Sequence, residues 1–248
     1  MHNADMKPQA QERRVGLARA MSKRGSCSRS QASAMIRAGR VRLNGKVRRD
    51  PETPVRLEHD RITLDGRPLQ AQEKVYLMLN KPRTVVTTAS DEAGRETVYA
   101  CLPPGLPWVA PVGRLDMASE GLLLMTNNSE CAARITAPES HLDKRYHVQV
   151  GARAEGELLE KMMAGVASEG EWLRAKRVEV LRQGRRNCWL EVVLDEGRNR
   201  QLRRIMQGLG VEVLRLVRVA IGPVELGGLK KGQARRLTPQ EKAALDDL

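Results

Sequence analysis

The chain has 248 residues, enough to bury a sizeable core in one large domain or in a small domain joined to a larger one. A formal charge of +13 and a pI near 10.1 point to a polyanionic partner such as a nucleic acid. No apolar run approaches the ~18 residues that a membrane span needs, and the polar first residues contain no apolar signal-peptide core. We therefore expect a cytoplasmic protein that does not associate with membranes.

The excess positive charge is concentrated near the N-terminus. Residues 1–70 contain 16 Lys and Arg against 7 Asp and Glu, a net charge of +9, whereas residues 71–248 contain 27 against 23, a net charge of +4. A charged surface that only keeps a protein in solution does not explain this asymmetry. The sequence thus indicates a basic N-terminal module joined to a nearly balanced body.

Metal and nucleotide motifs are absent from the sequence. The four cysteines are far apart, with no C-x-x-C pair, and no two histidines have the helical H-x-x-x-H spacing of a zinc site. There is no Walker-type glycine loop and no G-x-G-x-x-G motif. We expect reduced cysteines and a reaction that uses neither metal nor cofactor, which argues against a metal-dependent nuclease.

Two helices are predicted after a polar segment, residues 1–11, that we expect to be disordered. Ser28 or Ser30 can cap the second helix, which ends at Gly39. The first helix begins near Glu12 and is predicted from the helical spacing of Val15, Leu17, Ala18 and Met21.

Short strands complete this N-terminal module. Asn44–Gly45 is the strongest turn signal in the chain and predicts a hairpin between residues 41–43 and 46–47. A strand over 62–64 is followed by a second turn at Asp65–Gly66. Two helices and short strands in about sixty residues form a compact α+β unit.

The run SRSQASAMIRAGRVRLNGK, residues 28–46, resembles the helical core of the small RNA-binding domain named for ribosomal small-subunit protein S-four. The resemblance covers about residues 12–66 and implies docking on the phosphates of folded RNA. A nonspecific basic patch is the alternative. The side chains expected to contact RNA in this module are Arg24, Arg29, Arg37, Arg40, Arg42 and Lys46.

A polar linker, residues 66–74, precedes a second domain that we assign to residues 74–248. Its first predicted elements are a strand over Val75–Leu79 and a second strand over Val85–Thr88, which is rich in β-branched residues. Residues 89–107 are polar and contain prolines, which predicts a loop with one short helix.

The next stretch contains the candidate reactive centre. Apolar runs over Val109–Val112 and Leu122–Met125 predict two strands around a tight polar loop, with Asp116 at its tip beside Arg114. A carboxylate held rigidly next to an arginine is a plausible reactive centre. The spacing of Asp116 and Ser119 also fits a capped helical turn, so both interpretations remain open at this point.

The elements downstream alternate between helix and strand. A helix begins at Asn128 or Ser129 and ends before Pro138. The period-two pattern of Arg145–Val150 predicts a half-buried strand in which Tyr146 shares a face with core valines, although a purely structural tyrosine fits the same pattern. The remaining predictions are a helix over 155–166 with Leu158, Leu159, Met162 and Met163 inward, and strands over Ala175–Arg182 and Cys188–Leu194.

Residues 195–210 are the second informative stretch. A helix starting near Asn199 has an apolar stripe and places several arginines on adjoining faces. Positive charge at a helix N-terminus opposes the helix dipole, so we expect these arginines to contact phosphates or to pair with a buried carboxylate such as Asp116. A solvated basic face is the alternative. A long strand over Val211–Ile221 and a terminal helix follow. The arginines concerned are Arg198, Arg200, Arg203 and Arg204.

Together these stretches resemble a known enzyme family. The run GRLDMASEGLLLMTN, with LMLNKP upstream and KRYHVQV and EGRNRQLRRI downstream, is similar to the pseudouridine synthases that modify ribosomal RNA and carry an S-four-type domain ahead of the catalytic domain. The resemblance covers Glu12–Thr238. It implies an α+β protein in which a small S-four-type domain precedes a larger domain with a mixed, mainly antiparallel sheet flanked by helices. It also implies an active site in a cleft across that sheet, and no cofactor.

The resemblance implies roles for single residues. Asp116 matches the catalytic aspartate, Tyr146 the tyrosine that stacks on the uracil, and Arg203 the basic residue that pairs with the aspartate. Arg114 matches the arginine that helps fill the gap left by the flipped base, and Asn199 is expected to help position the substrate. The further residues expected to contact RNA are Lys81, Arg198, Arg200 and Arg204.

We therefore expect site-specific isomerisation of a uridine to pseudouridine in ribosomal RNA, through the aspartate and base flipping, with the large subunit favoured. The alternatives are a small-subunit target, or a noncatalytic RNA-binding factor in ribosome assembly. The partner is expected to be a folded stem-loop of free rRNA or of an assembling subunit, and the protein a monomer. The sequence leaves open whether the aspartate attacks the sugar or assists a route through a glycal.

Overall fold

The computed structural model describes residues 14–247. The segment 1–11, predicted to be disordered, lies outside the described residues. The chain divides between Lys74 and Val75 into two compact units, which we call the N-terminal unit and the C-terminal unit.

The N-terminal unit consists of two helices and short strands around one apolar core. Its elements are β1 (Arg14–Gly16), α1 (Leu17–Lys23), α2 (Arg29–Arg37), β2 (Val41–Leu43), β3 (Lys46–Val47), β4 (Pro54–Arg56), β5 (Ile62–Leu64) and β6 (Arg67–Pro68). The antiparallel order β3-β2-β5-β6 forms a four-stranded sheet, and β1 pairs with β4.

Local sequence signals explain much of this unit. The Ser28 hydroxyl accepts a hydrogen bond from the Gln31 backbone N–H at 3.0 Å, and the Gln31 side chain accepts one from the Ser28 N–H at 2.9 Å. These two reciprocal bonds form a capping box at the N-terminus of α2. Asn44 and Gly45 both have positive φ, +52° and +81°, as a two-residue hairpin requires. The predicted cap and the predicted hairpin are confirmed.

Two predictions for the N-terminal unit are wrong. Val15 lies in β1 opposite Val55 instead of in the first helix, because α1 begins only at Leu17. Residues Arg67–Pro68, predicted as linker, form β6, because the turn before them returns the chain to β5.

The C-terminal unit contains four helices and eleven strands among its described residues. Its first half consists of β7 (Tyr76–Lys81), a 3-10 helix (Val98–Cys101), β8 (Ala110–Pro111), β9 (Glu120–Thr126), α3 (Ser129–Thr136), a short 3-10 helix (Pro138–Ser140) and β10 (Lys144–Val150). Its second half consists of α4 (Gly156–Ala164), β11 (Val166–Ser168), β12 (Glu171–Leu173), β13 (Arg177–Gln183), β14 (Cys188–Leu194), α5 (Gln201–Gly208), β15 (Val213–Ile221), β16 (Val224–Glu225), β17 (Ala234–Arg236) and α6 (Pro239–Asp246).

One large sheet organises the C-terminal unit. The strand order is β13-β14-β10-β15-β9-β7-β17, with β8 added beside β9 and β16 beside β15. Every pair is antiparallel except β15 with β9. The predicted mixed, mainly antiparallel sheet is therefore confirmed, and its parallel pair joins two strands that are far apart in sequence.

Strand β9 is buried on both faces. Leu122 and Leu124 pack in one apolar cluster, together with residues of α3 and α6, while Leu123 and Met125 pack in another. Successive side chains of a strand point to opposite faces, so both faces of β9 are covered. The loop between β8 and β9 consequently ends at a strand that is fixed by packing on both faces.

The parallel pair depends on Gly121. Gly121 of β9 lies opposite Arg218 of β15 and has φ +100°, a backbone conformation that residues with a side chain rarely adopt. A Cβ atom added to Gly121 would lie 2.2 Å from the Arg218 carbonyl oxygen and 2.8 Å from its backbone nitrogen. Only glycine therefore lets β9 and β15 approach this closely.

Three predictions for this unit need correction. The expected strand Val85–Thr88 is reduced to a single bridge between Val86 and Thr97, because only Val86 exchanges backbone hydrogen bonds with that segment, through Glu96 and Val98. Met163, expected inward together with Met162, is 39% exposed, whereas Met162 is fully buried as expected. The hairpin of β11 and β12 was not predicted, since three-residue strands are too short to show a clear alternation.

Candidate active site

A cleft of about 440 Å³ opens in the C-terminal unit beside the loop between β8 and β9. Asp116 lies on this loop, and its side chain is 34% exposed. The Ser119 N–H donates to the Asp116 carbonyl oxygen at 2.9 Å, which closes a tight turn before β9 begins. The loop interpretation is confirmed and the helical-turn interpretation is wrong. The cleft is lined from four parts of the fold, represented by Arg114, Asp116, Tyr146, Arg200, Arg203 and Arg218.

Lys81, at the end of β7, fixes this loop from beneath. Its side chain is fully buried, and its Nζ donates to the backbone oxygens of Pro82 at 3.0 Å, Asp116 at 3.1 Å and Ser119 at 2.9 Å. Burial lowers the pKa of Lys81 to about 8, against the smaller raising effects of Cys101, Asp116 and Glu120. The predicted contact of Lys81 with RNA is therefore wrong, because its ammonium group is enclosed by the protein.

A second buried ion group holds the far end of the loop. Glu120, at the start of β9, is 1% exposed and receives Arg215 Nε at 2.8 Å and the Nζ of Lys231. Burial by itself acts to raise the pKa of Glu120, but hydrogen bonds from these two cations outweigh it and the pKa is lowered. Lys81 and Glu120 thus hold the loop between Asp116 and the start of β9.

Two arginines near the start of α5 reach this loop. Arg200 precedes the helix with φ +49°, and its Nη1 lies 3.5 Å from Asp116 Oδ2. Arg203 donates from Nη2 to the Ala118 carbonyl oxygen at 3.2 Å. Burial lowers the pKa of Arg203 and the charge of Arg200 lowers it further, whereas Asp116 acts to raise it.

The direct ion pair of Asp116 is therefore made by Arg200, where the sequence led us to expect Arg203. The physical reason is the helix start: α5 begins at Gln201, two residues later than expected, so Arg200 lies in the preceding loop. Arg203 is in the first turn of the helix and binds the backbone of the same loop.

The other two arginines of this stretch have structural partners. Arg204 is 8% exposed and donates to Glu171 Oε2 at 2.6 Å and to the Ser168 carbonyl oxygen at 2.6 Å. Arg198 pairs with Glu196 at 2.6 Å and with Glu171 at 3.2 Å. The expectation that Arg204 contacts RNA is wrong, because the unpredicted hairpin β11–β12 supplies its partners.

Tyr146 lies in the wall of the cleft, on β10. Its ring is partly buried against the apolar cluster beneath α4 and α5. Across the sheet it lies opposite Arg218 of β15, next to a register shift in β10. Sequence reasoning missed Arg218, which is 6% exposed and donates from Nε to the Leu122 carbonyl oxygen at 2.8 Å. An arginine inside the long apolar run of β15 was the signal that could have identified it.

The two residues proposed to handle the flipped base lie in different places. Arg114 is exposed and lines the cleft. Asn199 is exposed as well, but it does not line the cleft, and its backbone oxygen accepts a hydrogen bond from Arg204 at 3.5 Å.

In the N-terminal unit the predicted RNA contacts also divide into two kinds. The Arg24 guanidinium is used internally: it donates to the carbonyl oxygens of Leu69 at 2.9 Å, Leu57 at 3.1 Å and Asp60 at 3.2 Å. Its contact with RNA stays a prediction, since the side chain is half-buried and these bonds use only part of its donors. The other predicted side chains are exposed, with Arg40 paired to Asp65; they are Arg29, Arg37, Arg40, Arg42 and Lys46.

Within residues 14–247, no group of three or more His, Cys, Asp and Glu could hold a metal ion. In the same part of the chain, none of the helices combines the length and the apolar character that crossing a bilayer demands.

Comparison with known proteins identifies the family. The model of the RNA pseudouridylate synthase family matches residues 75–208, and that of the S4 domain matches residues 15–62. An uncharacterised RNA pseudouridine synthase of Aquifex aeolicus is 36% identical over 91% of both chains. The ribosomal large subunit pseudouridine synthase B of Bacillus subtilis is 36% identical over 88% of this chain and 89% of that protein. A crystal structure of a pseudouridylate synthase aligns with a TM-score of 0.66 and 29% identity, covering 93% of this chain and 99% of the other. The chain therefore belongs to the RNA pseudouridine synthases, isomerases that act on RNA, and carries an S4 domain ahead of the synthase domain.

Proposed function

We propose that this enzyme converts one uridine of large-subunit ribosomal RNA to pseudouridine, with Asp116 as the catalytic carboxylate. The observation that carries the proposal is the position of Asp116: its carboxylate opens into a cleft, with Arg200 3.5 Å away and the loop held by buried Lys81 and Glu120. The Bacillus subtilis relative, named for the large subunit, supports the choice of RNA.

The reaction explains why an ionised carboxylate is needed there. Isomerisation breaks the N1–C1′ bond of uridine, turns the uracil, and joins C5 to C1′ without redox change. Attack of the carboxylate on C1′ and removal of the C2′ proton to give a glycal both use Asp116 in its charged form. The Arg200 guanidinium, 3.5 Å from the carboxylate, and Arg203 in the first turn of α5 place positive charge beside this group.

Tyr146 and Arg114 fit the handling of the base. A uridine inside folded RNA must leave its stack to reach the carboxylate, which costs a few kcal/mol. Tyr146, in the cleft wall, offers an aromatic face on which the extruded uracil stacks and recovers part of that cost. Arg114, exposed at the cleft, is suited to occupy the space that the base leaves in the RNA.

The N-terminal unit supplies affinity for the RNA. Its exposed Arg29, Arg37, Arg42 and Lys46 can neutralise phosphates of a folded stem-loop, which positions the RNA without reading its bases. A noncatalytic assembly factor would also use such contacts. It would have no need of a carboxylate in an RNA-facing cleft, where negative charge repels phosphate.

The test is to incubate the purified enzyme with ribosomal RNA from cells that lack its gene. Pseudouridine is then marked with a carbodiimide and located by primer extension. The proposal predicts one new stop, in large-subunit RNA. A new stop in small-subunit RNA would contradict the choice of subunit, and no new stop in either RNA would contradict catalysis.

A further inference from the structure

Arg218 is a buried arginine whose guanidinium is only partly used by the protein. Its Nε donates to the Leu122 carbonyl oxygen, 2.8 Å away, which anchors the side chain to β9. Its Nη2 is buried and has no hydrogen-bond partner among the described residues. The guanidinium therefore keeps N–H donors that no group of the described protein accepts.

This arrangement is costly unless something else binds the charge. A buried charge without a partner is among the most unfavourable features in a fold, and a guanidinium is normally buried against a carboxylate. Arg204, buried to a similar degree, follows that rule and pairs with Glu171 at 2.6 Å. Within residues 14–247, Arg218 makes no such ion pair and has only the backbone oxygen of Leu122.

The position of Arg218 indicates the ligand. It lines the same cleft as Asp116 and lies opposite Tyr146 across the β10–β15 pair. Opposed residues on neighbouring strands have Cβ atoms about 5 Å apart, so a uracil stacked on Tyr146 has its edge beside Arg218. Lys144, two residues before Tyr146 on β10, adds positive charge to the same wall. Burial lowers the pKa of Lys144, and the charge of Arg218 lowers it further.

The reaction builds negative charge at this edge, which a cation there would stabilise. When the N1–C1′ bond breaks, N1 keeps the electron pair, and the uracil becomes an anion whose charge is shared among N1, O2 and O4. The electron-poor sugar is later joined to C5, which loses its proton, while N1 gains one. Atoms and electrons therefore balance, and the highest negative charge on the base occurs immediately after cleavage.

We propose that Arg218 is a further catalytic residue, which donates hydrogen bonds to a carbonyl oxygen of the uracil and stabilises the uracil anion as the glycosidic bond breaks. This inference rests on the proposed function of the Asp116 cleft. In this proposal Asp116 acts on the sugar, and Arg218 stabilises the negative charge of the departing base. Donors fixed in advance where charge develops are among the largest contributors to enzymatic rate.

The test compares two RNA substrates in single-turnover reactions with saturating enzyme. One carries uridine at the target position, and the other carries 5-fluorouridine, whose electron-withdrawing fluorine makes the uracil a better leaving group. Consumption of the target nucleoside is measured after nuclease digestion. Arg218→Met is expected to slow the uridine reaction about 100-fold, with RNA affinity within a few fold of wild type. The loss on 5-fluorouridine is expected to be at least about fivefold smaller, because a better leaving group needs less help.

Two further variants keep the test decisive. Arg182→Met removes the same charge from an exposed position on β13 outside the cleft, and is expected to behave as wild type on both substrates. Arg218→Lys retains a positive charge; it is expected to lose about tenfold, with the same bias toward 5-fluorouridine, and it carries the test if the methionine variant does not fold.

Each outcome has one meaning. A rate loss that is equal on the two substrates, or a change in RNA affinity alone, would show that Arg218 is structural and would overturn the inference. The proposed function would still stand in that case, provided that the wild-type enzyme forms pseudouridine. A wild-type enzyme that forms no pseudouridine would overturn the proposed function, and the inference with it.

Discussion

Replacing Lys81 with methionine tests how the catalytic loop is held. Lys81 is fully buried, and its ammonium group donates to the backbone oxygens of Pro82 at 3.0 Å, Asp116 at 3.1 Å, Ser119 at 2.9 Å and Met117 at 3.5 Å. Methionine has a similar length but no charge and no donor. The variant therefore removes the Lys81 donor from all of these oxygens, although the Asp116 oxygen keeps the Ser119 N–H and the Met117 oxygen keeps the Thr84 N–H. At the same time it removes a charge that is expensive to bury.

These two effects have comparable size at neutral pH. Each unpaired carbonyl costs about 1–3 kcal/mol. Against that, the fall of the Lys81 pKa from 10.5 to about 8 corresponds to roughly 3 kcal/mol of unfavourable burial in the charged state. A single value of the free energy of unfolding cannot separate these effects, so the informative quantity is its dependence on pH.

The sign of that dependence follows from proton binding. Because the pKa of Lys81 is lower in the folded protein, the unfolded chain binds more protons between pH 8 and pH 10.5, and wild-type stability gains from a rise in pH through this range. Lys81→Met lacks this increase in the free energy of unfolding, because it has no titrating group at this position. The difference in free energy of unfolding, wild type minus variant, is expected to increase by about 2 kcal/mol from about pH 7.5 to about pH 9.5.

Urea unfolding followed by tryptophan fluorescence measures this difference for the right part of the molecule, since all three tryptophans lie in the C-terminal unit. Lys161→Met, which removes an exposed lysine of α4, controls for the loss of one positive charge. A difference that stays flat, or that falls as pH rises, would refute the argument that Lys81 is held as a buried charge.

Two further predictions concern the sheet and the RNA-binding unit. Gly121→Ala is expected to destabilise the C-terminal unit by at least about 4 kcal/mol, measured by urea unfolding, because the new Cβ would lie 2.2 Å from the Arg218 carbonyl oxygen and would separate β9 from β15. Changing Arg29, Arg37 and Arg42 together to glutamine is expected to weaken binding to rRNA. The slope of log K against log salt is expected to become shallower by about 0.7 for each phosphate that is no longer neutralised. Filter binding across a salt series measures both effects.

Matched variants control both experiments. Gly105→Ala also places alanine at a positive φ, +79°, but in open space, so it is expected to cost only about 1 kcal/mol. An equal loss in both glycine variants would refute the role of the parallel pair. Changing exposed Arg182, Arg185 and Arg186 to glutamine removes the same charge from the C-terminal unit. If that change lowers the salt slope as much as the change in the N-terminal unit, the N-terminal unit is not the main phosphate-binding surface.

The elements that the sequence predicted correctly are those with local causes. The Ser28 cap needs only Gln31 three residues later, and the Asn44–Gly45 hairpin needs only two residues that accept positive φ. The loop of Asp116 was predictable in the same way, since the apolar runs on either side are contiguous with it. In each case the interacting groups lie within a few residues of one another.

The features that the sequence did not predict depend on partners far along the chain. Lys81 ends a strand and looks like a solvent-facing cation, but its acceptors are supplied 35 and 38 residues later. Arg204 looks like part of a basic helix face, but its partner Glu171 lies in a hairpin too short to show a pattern. Arg218 binds the Leu122 carbonyl oxygen, 96 residues away in sequence, because β15 and β9 pair in parallel. No pattern within either strand predicts that pairing.

The choice of partner for Asp116 illustrates the same limit at finer scale. The residue pattern indicated that an arginine from the stretch 198–204 would approach the carboxylate, and Arg200 does so at 3.5 Å. Which arginine makes the ion pair depends on the residue at which α5 begins, and helix boundaries are uncertain by one or two residues. With α5 beginning at Gln201, Arg200 lies before the helix and makes the ion pair, while Arg203 lies in the first turn and binds the Ala118 carbonyl oxygen.

The most direct test of the account is the activity of Asp116→Asn on an rRNA substrate that the wild-type enzyme modifies. Asparagine keeps the size of the side chain and removes its charge, so RNA affinity is expected to stay within a few fold of wild type, while pseudouridine formation falls by at least about 10³-fold. Asp247→Asn makes the same chemical change at an exposed position near the C-terminus and is expected to leave the rate unchanged. Formation of pseudouridine by Asp116→Asn at a rate near that of wild type would contradict the claim that this carboxylate carries the isomerisation.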